Sequence, residues 1–147
     1  MGLYSGKGMS NIVKIKDPDT FDELLRVLGC KMIHVPGEGF GFTVQNSNGE
    51  PVKYVTVDIL DQNNSSRETK RMIWTDAIAE HLLPGEVLIF QHSGSDDVRI
   101  NAYSLAISWK GQIDFIHIDD IYKRAARKFN SDAIKPVYHF RGSSGGK

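Results

Sequence analysis

The chain has 147 residues, of which 40% are hydrophobic and 24% are charged, and these values are ordinary for one globular domain. Eighteen basic residues balance eighteen acidic ones, so no net field attracts the chain to nucleic acid or to a membrane surface. The single cysteine, Cys30, excludes an intramolecular disulfide and favours the cytoplasm or a particle assembled inside a cell. No apolar run approaches the roughly 20 residues that span a bilayer, and residues 1–10 lack the apolar segment of a secretory signal, so we expect no membrane partner and no export through a signal peptide.

The chain begins with a segment of unusual composition. Residues 1–10 are rich in Gly and Ser, which predicts a flexible N-terminal arm. Residues 11–16 then predict a short strand. Thr20 and Glu23 have the capping-box spacing and Gly29 is typical of a helix end, so a helix is predicted over this stretch.

Turn composition separates the strands that are predicted after this helix. The segment Asn46–Gly49 consists of Asn, Ser and Gly, and it predicts a hairpin in which the strand before it pairs with the strand after it. Val55 and Val57 alternate with polar residues, which indicates that one face of this hairpin contacts water. The three predicted strands cover residues 31–35, 40–45 and 52–60.

The segment after residue 60 permits two interpretations. Ser65 and Glu68 repeat the capping-box spacing, which predicts a helix that extends to about Leu83. The alternative is a short strand at residues 72–74, followed by a shorter helix that Thr75 caps. In either case the Pro-Gly pair that follows ends the element.

Three strands and a basic helix organise the C-terminal part of the chain. In the second of these strands bulky apolar side chains alternate with small ones, and Lys110-Gly111 predicts the tight turn that follows it. Ile121, Ala125 and Phe129 then recur at helical spacing, so they form one apolar stripe of a helix. The strands are predicted at residues 86–92, 99–109 and 112–118, and the helix from Asp119 or Asp120 to about Phe129.

These elements predict an α+β fold, with a mostly antiparallel sheet of about six strands and about three helices packed on it. A single domain is predicted over residues 11–130, and residues 131–147 are predicted to form an extended C-terminal tail. The order of the elements also suits a twofold α-β-β-β repeat, although the two halves share no match at the level of residues.

The strongest catalytic candidates are His117 and Asp119, which lie two residues apart at the end of a predicted strand. This spacing suits a carboxylate that orients an imidazole as a general base, in a small hydrolase whose site lies near the Gly-rich turn at residues 37–41. Such a site would also need His34 or His92 in the same pocket. The alternative is a strand histidine followed by a helix cap. The five histidines form no metal-binding motif and the single cysteine offers no second thiolate, so neither a metal nor a cofactor is predicted.

Basic residues are concentrated in the C-terminal quarter of the chain. They are suited to phosphate contacts, which makes nucleic-acid binding an alternative function, whereas a solvated helix face is the simpler interpretation. Aromatic residues of the predicted tail would add contacts with a protein partner. The candidate residues for a partner or a phosphate are Lys123, Arg124, Arg127, Lys128, Tyr138, Phe140 and Arg141.

No catalytic motif stands out in this sequence, whereas both termini are rich in Gly and Ser. Our leading hypothesis is therefore a non-enzymatic structural or interaction subunit of a larger assembly, such as a virion or another macromolecular complex. It predicts that the arms at residues 1–10 and 131–147 contact neighbouring protein chains.

Overall fold

The computed structural model of this protein describes residues 3–60 and 67–134. The strands in these ranges are β1 (Ser5–Ser10), β2 (Cys30–Val35), β3 (Gly39–Val44), β4 (Tyr54–Leu60), β5 (Arg67–Ile73), β6 (Val87–Ser95), β7 (Ile100–Ser108) and β8 (Ile113–His117). The helices are α1 (Pro18–Val27), α2 (Trp74–Ala79) and α3 (Asp120–Phe129). No helix in this described part of the chain has both the length and the apolar composition that crossing a membrane requires.

Six of the strands form one antiparallel sheet in the order β2-β3-β1-β6-β7-β8. β4 and β5 pair with each other in a separate antiparallel sheet. α1 contacts β2, and α2 contacts β7 and both strands of the small sheet. The predicted α+β class with a mostly antiparallel sheet is therefore confirmed.

The strands on either side of Asn46–Gly49 do not pair with each other, so the predicted hairpin is wrong. β3 pairs with β1 and β2, whereas β4 pairs with β5. Other bonds hold the connecting segment: Asn46 Nδ2 donates to the carbonyl oxygen of Glu50 at 3.0 Å. The N–H of Val52 donates to the carbonyl oxygen of Leu28 at 2.9 Å. These bonds carry the chain past the C-terminal end of α1 and away from β3.

β1 corrects the prediction of a flexible arm at the N-terminus. It lies in the interior of the sheet, with β3 paired on one side and β6 on the other. Its glycines permit a close approach of the turn before β4, since a Cβ atom at Gly8 would lie 2.3 Å from the carbonyl oxygen of Gly49. The sheet therefore begins at Ser5, and the domain starts before residue 11.

The segment between β1 and the end of α1 also differs in detail from the prediction. Residues 11–16 contribute isolated bridges rather than a strand. α1 begins earlier than the capping-box pattern indicates, because Asp17 accepts the N–H of Thr20 at 3.1 Å and Pro18 occupies the first position. The helix ends before Gly29, as predicted, and this glycine has a φ of 79°, the left-handed geometry typical of helix ends.

Residues 67–73 form β5, so the long helix predicted from Ser65 to Leu83 is wrong over this stretch. The alternative of a strand followed by a shorter helix is closer, although Thr75 lies inside α2 instead of capping it. The reason is pairing across the small sheet: Val55 of β4 is opposite Met72, and both side chains pack against the core. Neighbours that are distant in sequence thus override the local helix pattern.

The core lies between one face of the large sheet and the helices α1 and α2. Phe90 of β6 is fully buried, and its ring centroid lies 5.8 Å from that of Phe42 and 5.3 Å from that of Trp74. Cys30 is buried in the same core, and desolvation raises the pKa of its thiol to about 12. The thiol is therefore protonated and unreactive at neutral pH.

α3 differs from the other two helices because none of its residues is buried. The stripe predicted at Ile121, Ala125 and Phe129 is present, but it is not covered. Ile121 is 57% exposed and Phe129 is 66% exposed. In the described part of the chain α3 therefore extends from the end of β8 without packing into the core.

Candidate functional site

His117 and Asp119 lie where β8 ends and α3 begins, and their contacts differ from those of a catalytic pair. His117 Nδ1 accepts the backbone N–H of Asp119 at 3.0 Å, whereas the Asp119 carboxylate lies 3.8 Å from this nitrogen. His117 Nε2 is 2.6 Å from Asn101 Oδ1, an oxygen that only accepts, so Nε2 carries the proton. Both nitrogens of the neutral ring are therefore occupied, and in this arrangement neither is available to take a proton from a substrate.

Asn101 connects His117 to a second histidine, the buried His92. Asn101 Nδ2 donates to the hydroxyl of Tyr4 at 3.3 Å, and this hydroxyl donates to His92 Nε2 at 2.7 Å. His92 Nδ1 donates to the carbonyl oxygen of Gly49 at 3.0 Å. One arrangement of protons, with both imidazoles neutral, satisfies all of these bonds. The network therefore joins the N-terminal segment, β6, β7, the end of β8 and the turn before β4.

Tyr103 extends the network on its buried side. Its ring centroid lies 5.0 Å from that of His92, and its hydroxyl donates to the carboxylate of Glu50. Burial, together with this carboxylate, raises the pKa of the Tyr103 hydroxyl well above its ordinary value. The phenol stays protonated at neutral pH, so we interpret the network as a support for the sheet and not as a set of reacting groups.

The Gly-rich turn lies at the other edge of the sheet. Residues 36–38 connect β2 to β3 and residues 39–41 begin β3, whereas His117 belongs to β8, at the opposite end of the strand order. His34 is exposed on β2, on the same side as the turn. Of the two histidines that a hydrolase would recruit, only His92 is linked to His117. This arrangement gives no support to a site that combines the turn with His117 and Asp119.

The basic candidates on α3 are exposed, and one of them lines a cleft. Lys123 contributes to an open cleft of about 580 Å³ between the start of β7, the end of β8 and α3, together with Arg99. Asp119 and Asp120 line the same cleft, so its charge is mixed. The other exposed candidates on α3 are Arg124, Arg127 and Lys128, whereas Tyr138, Phe140 and Arg141 lie outside the described residues.

Large apolar side chains are exposed along β8 and α3, which the sequence analysis did not predict. Ile116 is 63% exposed, and Phe115, on the opposite face of the same strand, is 51% exposed. Ile118 and Ile121 line a second open cleft, of about 640 Å³, between residues 95–100 and α3. We use the name β8–α3 surface for Ile113, Phe115, Ile116, Ile118, Ile121 and Phe129, all of which are exposed.

The sequence of β8 does contain a pattern from which this surface follows. Ile113 and Phe115 point to one face of the strand, whereas Ile116 and Ile118 point to the other. A strand with apolar residues on both faces needs a cover on both faces. Because β8 is at the edge of the sheet and α3 packs on neither face closely, this cover is missing in the described part of the chain.

Within residues 3–60 and 67–134, no group of three or more His, Cys, Asp or Glu side chains is arranged to hold a metal ion. Comparison of the chain with models of protein families, with curated proteins and with solved structures found no match. What the protein does is therefore inferred from the geometry of this chain alone.

Proposed function

We propose that this chain is a non-enzymatic structural or interaction subunit of a larger assembly, such as a virion or another macromolecular complex. The observation that supports this proposal is the β8–α3 surface, where the exposed Ile116 and Ile118 line one open cleft and Ile118 and Ile121 line the next. Apolar side chains that are exposed next to one another are typical of protein–protein contact sites, whereas singly exposed ones are found on most proteins.

α3 gives a second reason to expect a partner. A helix of 10 residues is marginally stable in water unless another element covers its apolar face. No residue of α3 is buried, although Ile121 and Phe129 lie on its apolar stripe. Complete burial of one Ile or Phe side chain contributes roughly 1.5–3 kcal/mol, so a partner that covers this stripe would stabilise the helix substantially.

The position of β1 limits where such contacts are made. Residues 5–10 pair with β6 along their whole length and Met9 also pairs with Thr43 of β3, so this segment does not reach a neighbouring chain as an arm. The proposed contacts therefore belong to the C-terminal side alone. They comprise the β8–α3 surface and the predicted tail at residues 131–147, in which Tyr138 and Phe140 would extend the contact with other protein chains.

This proposal is tested by measuring the size of the complexes that contain the full chain in extracts of the cells that produce it. We expect the tagged chain to sediment in complexes larger than two copies of itself. Replacing both Ile121 and Phe129 with Glu places charges on the apolar stripe and should release the chain into fractions of one or two copies.

Val27→Glu is the matched control for this experiment. Val27 lies on α1, outside the β8–α3 surface, and it is 63% exposed. A charge at this position should therefore leave the large complexes intact. A wild-type chain that sediments only as a monomer or a dimer would contradict the proposed function.

Nucleic-acid binding is the second candidate function. All four basic residues of α3 are exposed, and residues 121–130 contain no acidic residue. If these residues contact phosphates, binding should fall steeply as the salt concentration rises. We expect Lys123→Glu combined with Arg127→Glu to abolish retention on a phosphate resin at low salt, whereas Lys31→Glu on β2 should not change it. A wild-type chain that such a resin does not retain at low salt would exclude this function.

A further inference from the structure

Hydrogen bonds, and not packing in the core, attach the start of α3 to β8, because no residue of α3 is buried. The backbone N–H of Asp119 donates to His117 Nδ1 at 3.0 Å, and the N–H of His117 donates to Asp120 Oδ2 at 2.9 Å. We use the name junction bond for the first of these two bonds. It exists only while His117 Nδ1 carries no proton, since an unprotonated ring nitrogen accepts and a protonated one donates. One attachment of the helix therefore depends on the protonation state of one imidazole.

A second group that can bond to the same nitrogen lies close by. The carboxylate of Asp119 is 3.8 Å from His117 Nδ1, which is too long for a hydrogen bond but close enough for an ion pair. A small rotation of this partly exposed side chain brings an oxygen within reach of a proton on Nδ1. The backbone N–H of Asp119 then loses its acceptor, because the nitrogen that accepted it has become a donor. Protonation thus exchanges a bond to the backbone of Asp119 for a bond to its side chain.

Charges of both signs face His117 from the elements around it. Histidine is the residue type among them whose ordinary titration falls between about pH 5 and about pH 8. The Tyr103 hydroxyl stays protonated in this range, because burial raises its pKa. His117 is therefore the group at this junction that we expect to change its charge in this range. The titratable groups that face it are Asp119, Asp120, Tyr122 and Lys123 at α3, Arg99 before β7, and Tyr103 opposite it in β7.

The network that connects His117 to His92 favours His117 as the position of an added proton. A second proton on His92 Nε2 would face the hydroxyl of Tyr4, which donates to that nitrogen at 2.7 Å. If this hydroxyl turned, Asn101 would have to present its oxygen to it, and the Asn101 amide N–H would then face the Nε2–H of His117. A proton on His117 Nδ1 keeps all of these bonds and changes only the junction bond. The first added proton therefore goes to His117.

We propose that His117 is a pH-dependent switch at the junction of β8 and α3. While the imidazole is neutral, the junction bond holds the start of α3 against the end of β8. When Nδ1 takes a proton from water, the Asp119 carboxylate binds that proton, the junction bond breaks and the start of α3 loosens. The switch is a property of the isolated chain and goes beyond the proposed function. Only its effect on complexes, through Ile118 and Ile121 of the β8–α3 surface, rests on that function.

Nuclear magnetic resonance of the purified full chain, labelled with ¹⁵N, tests the switch. Long-range ¹H–¹⁵N spectra give the protonation state of each ring nitrogen, and hydrogen exchange gives the protection factor of each amide, which corrects for the effect of pH on exchange itself. At about pH 7.5 we expect a proton on His117 Nε2 and none on Nδ1. At about pH 5 both nitrogens of His117 should carry protons, whereas His92 should still carry one.

The protection factors show whether the junction bond breaks when the ring is protonated. That of the Asp119 amide should be about tenfold lower at about pH 5 than at about pH 7.5, because one hydrogen bond is lost. The amide of Ile118 is the internal control, since it donates to the carbonyl oxygen of Ala102 at 2.8 Å and not to a titrating group. Its protection factor should change by less than about twofold.

Two substitutions separate the role of the imidazole from that of the carboxylate. His117→Gln removes the titrating ring, so the protection factor of the Asp119 amide should agree within about twofold at the two pH values. Asp119→Asn removes the carboxylate that binds the added proton, so the midpoint of the loss of protection should move at least about half a pH unit lower. His34→Gln, on the exposed edge strand β2, is the matched control and should keep the wild-type change. Far-UV circular dichroism establishes that each variant is folded.

Asn101 is a positioning residue in this switch, since its oxygen keeps the proton of the neutral ring on His117 Nε2. Asn101→Leu removes that acceptor, so the neutral ring should carry its proton on Nδ1 in a measurable fraction of the molecules. The protection factor of the Asp119 amide at about pH 7.5 should then fall about twofold. A ring that keeps its proton entirely on Nε2 in this variant would overturn the role of the network.

Three results would each overturn the switch. They are a neutral His117 ring with its proton on Nδ1, an Asp119 protection factor that is equal at the two pH values, and a His117→Gln variant that keeps the wild-type change. An Ile118 amide that loses as much protection as Asp119 would also overturn it, because the edge of the sheet would then open as a whole. An unchanged midpoint in Asp119→Asn would overturn the role of the carboxylate.

The switch and the proposed function can fail separately. A chain that shows the switch when it is pure, but sediments in cell extracts only as a monomer or a dimer, would support the switch while contradicting the proposed function. Large complexes built from a chain whose junction bond does not respond to pH would do the reverse.

Discussion

β1 and β8 occupy the opposite positions in the sheet from those that their compositions suggest. β1 is rich in Gly and Ser, yet it lies inside the sheet and is paired with β3 and β6. β8 is rich in apolar residues, yet it ends the sheet, and Ile113, Phe115 and Ile116 are all exposed. The comparison teaches that the position of a strand in the sheet is decided by the strands that pair with it, and only weakly by its own composition.

The two strands also differ in what holds them. At β1 the absence of a side chain at Gly8 permits the close contact with Phe90 of β6, because a Cβ atom at Gly8 would lie 2.6 Å from the Phe90 ring. At β8 the side chains are large and no element of the described chain covers them. β1 is therefore fixed by contacts within this chain, whereas the apolar side chains of β8 and α3 stay exposed in the part of the chain that the structure describes.

The largest effect is expected from removal of β1. Deleting residues 1–10 leaves the facing edges of β3 and β6 without backbone partners in the middle of the sheet. We expect the shortened chain to lose its cooperative unfolding transition, measured by circular dichroism in urea. Deleting residues 131–147 is the control and should preserve the transition, because the sheet ends at His117. A chain without residues 1–10 that unfolds as cooperatively as the full chain would contradict the position of β1.

Two phenylalanine residues measure the difference between the core and the β8 edge. Phe90→Ala should lower the free energy of unfolding by about 3–5 kcal/mol, because this ring is fully buried between Phe42 and Trp74. Phe115→Ala should lower it by no more than about 1 kcal/mol in the monomer, because this ring is 51% exposed. Urea denaturation at low protein concentration measures both values. Equal losses would show that β8 is covered within the isolated chain.

Local patterns predicted those parts of the fold that depend on neighbours in sequence. A short apolar run predicted β6, period-two alternation predicted β7, the turn signal at Lys110-Gly111 predicted the return as β8, and helical spacing predicted α3, because each of these patterns is local in sequence. Two turns were also predictable from glycine. Gly29 and Gly111 have φ values of 79° and 84°, which other residues rarely adopt, and they end α1 and connect β7 to β8.

What the sequence did not predict depends on residues that are distant along the chain. β5 is a strand because β4 pairs with it, and β1 lies inside the sheet because β3 and β6 pair with it. The hydrogen-bond network has the same origin, since Tyr4 and Asn101 are 97 positions apart. His117 was predicted as a candidate base from its spacing to Asp119. That spacing does not reveal the hydrogen bond to Asn101 that occupies His117 Nε2.

The hydrogen-bond network gives the next largest effect, because it anchors the segment that leads into β1. Tyr4→Phe removes the donor to His92 Nε2, and the side chain of His92 is only 3% exposed. A buried acceptor without a donor costs about 1–3 kcal/mol, so the free energy of unfolding should fall by this amount in urea denaturation. Tyr54→Phe is the control and should change it by less than about 0.5 kcal/mol, because Tyr54 is 39% exposed. A similar, small change in both variants would show that the network does not hold this segment.

The smallest effect concerns His81, which lies just after α2. The segment between β1 and α1 passes this point, and the N–H of Lys16 donates to the His81 carbonyl oxygen at 2.9 Å. Burial lowers the pKa of the His81 imidazole below its ordinary value of 6.5, and the nearby Glu80 only partly opposes this. As the pH falls through 6.5 the unfolded chain binds a proton before the folded chain does, so the stability is fully present above this pH and decreases below it. We expect His81→Gln to reduce the decrease in the urea midpoint between about pH 7.5 and about pH 5.5, whereas His34→Gln, on the exposed edge strand β2, should keep the wild-type dependence. If both variants keep that dependence, His81 does not lose solvent on folding, and the contact of this segment with α2 is looser than the structure indicates.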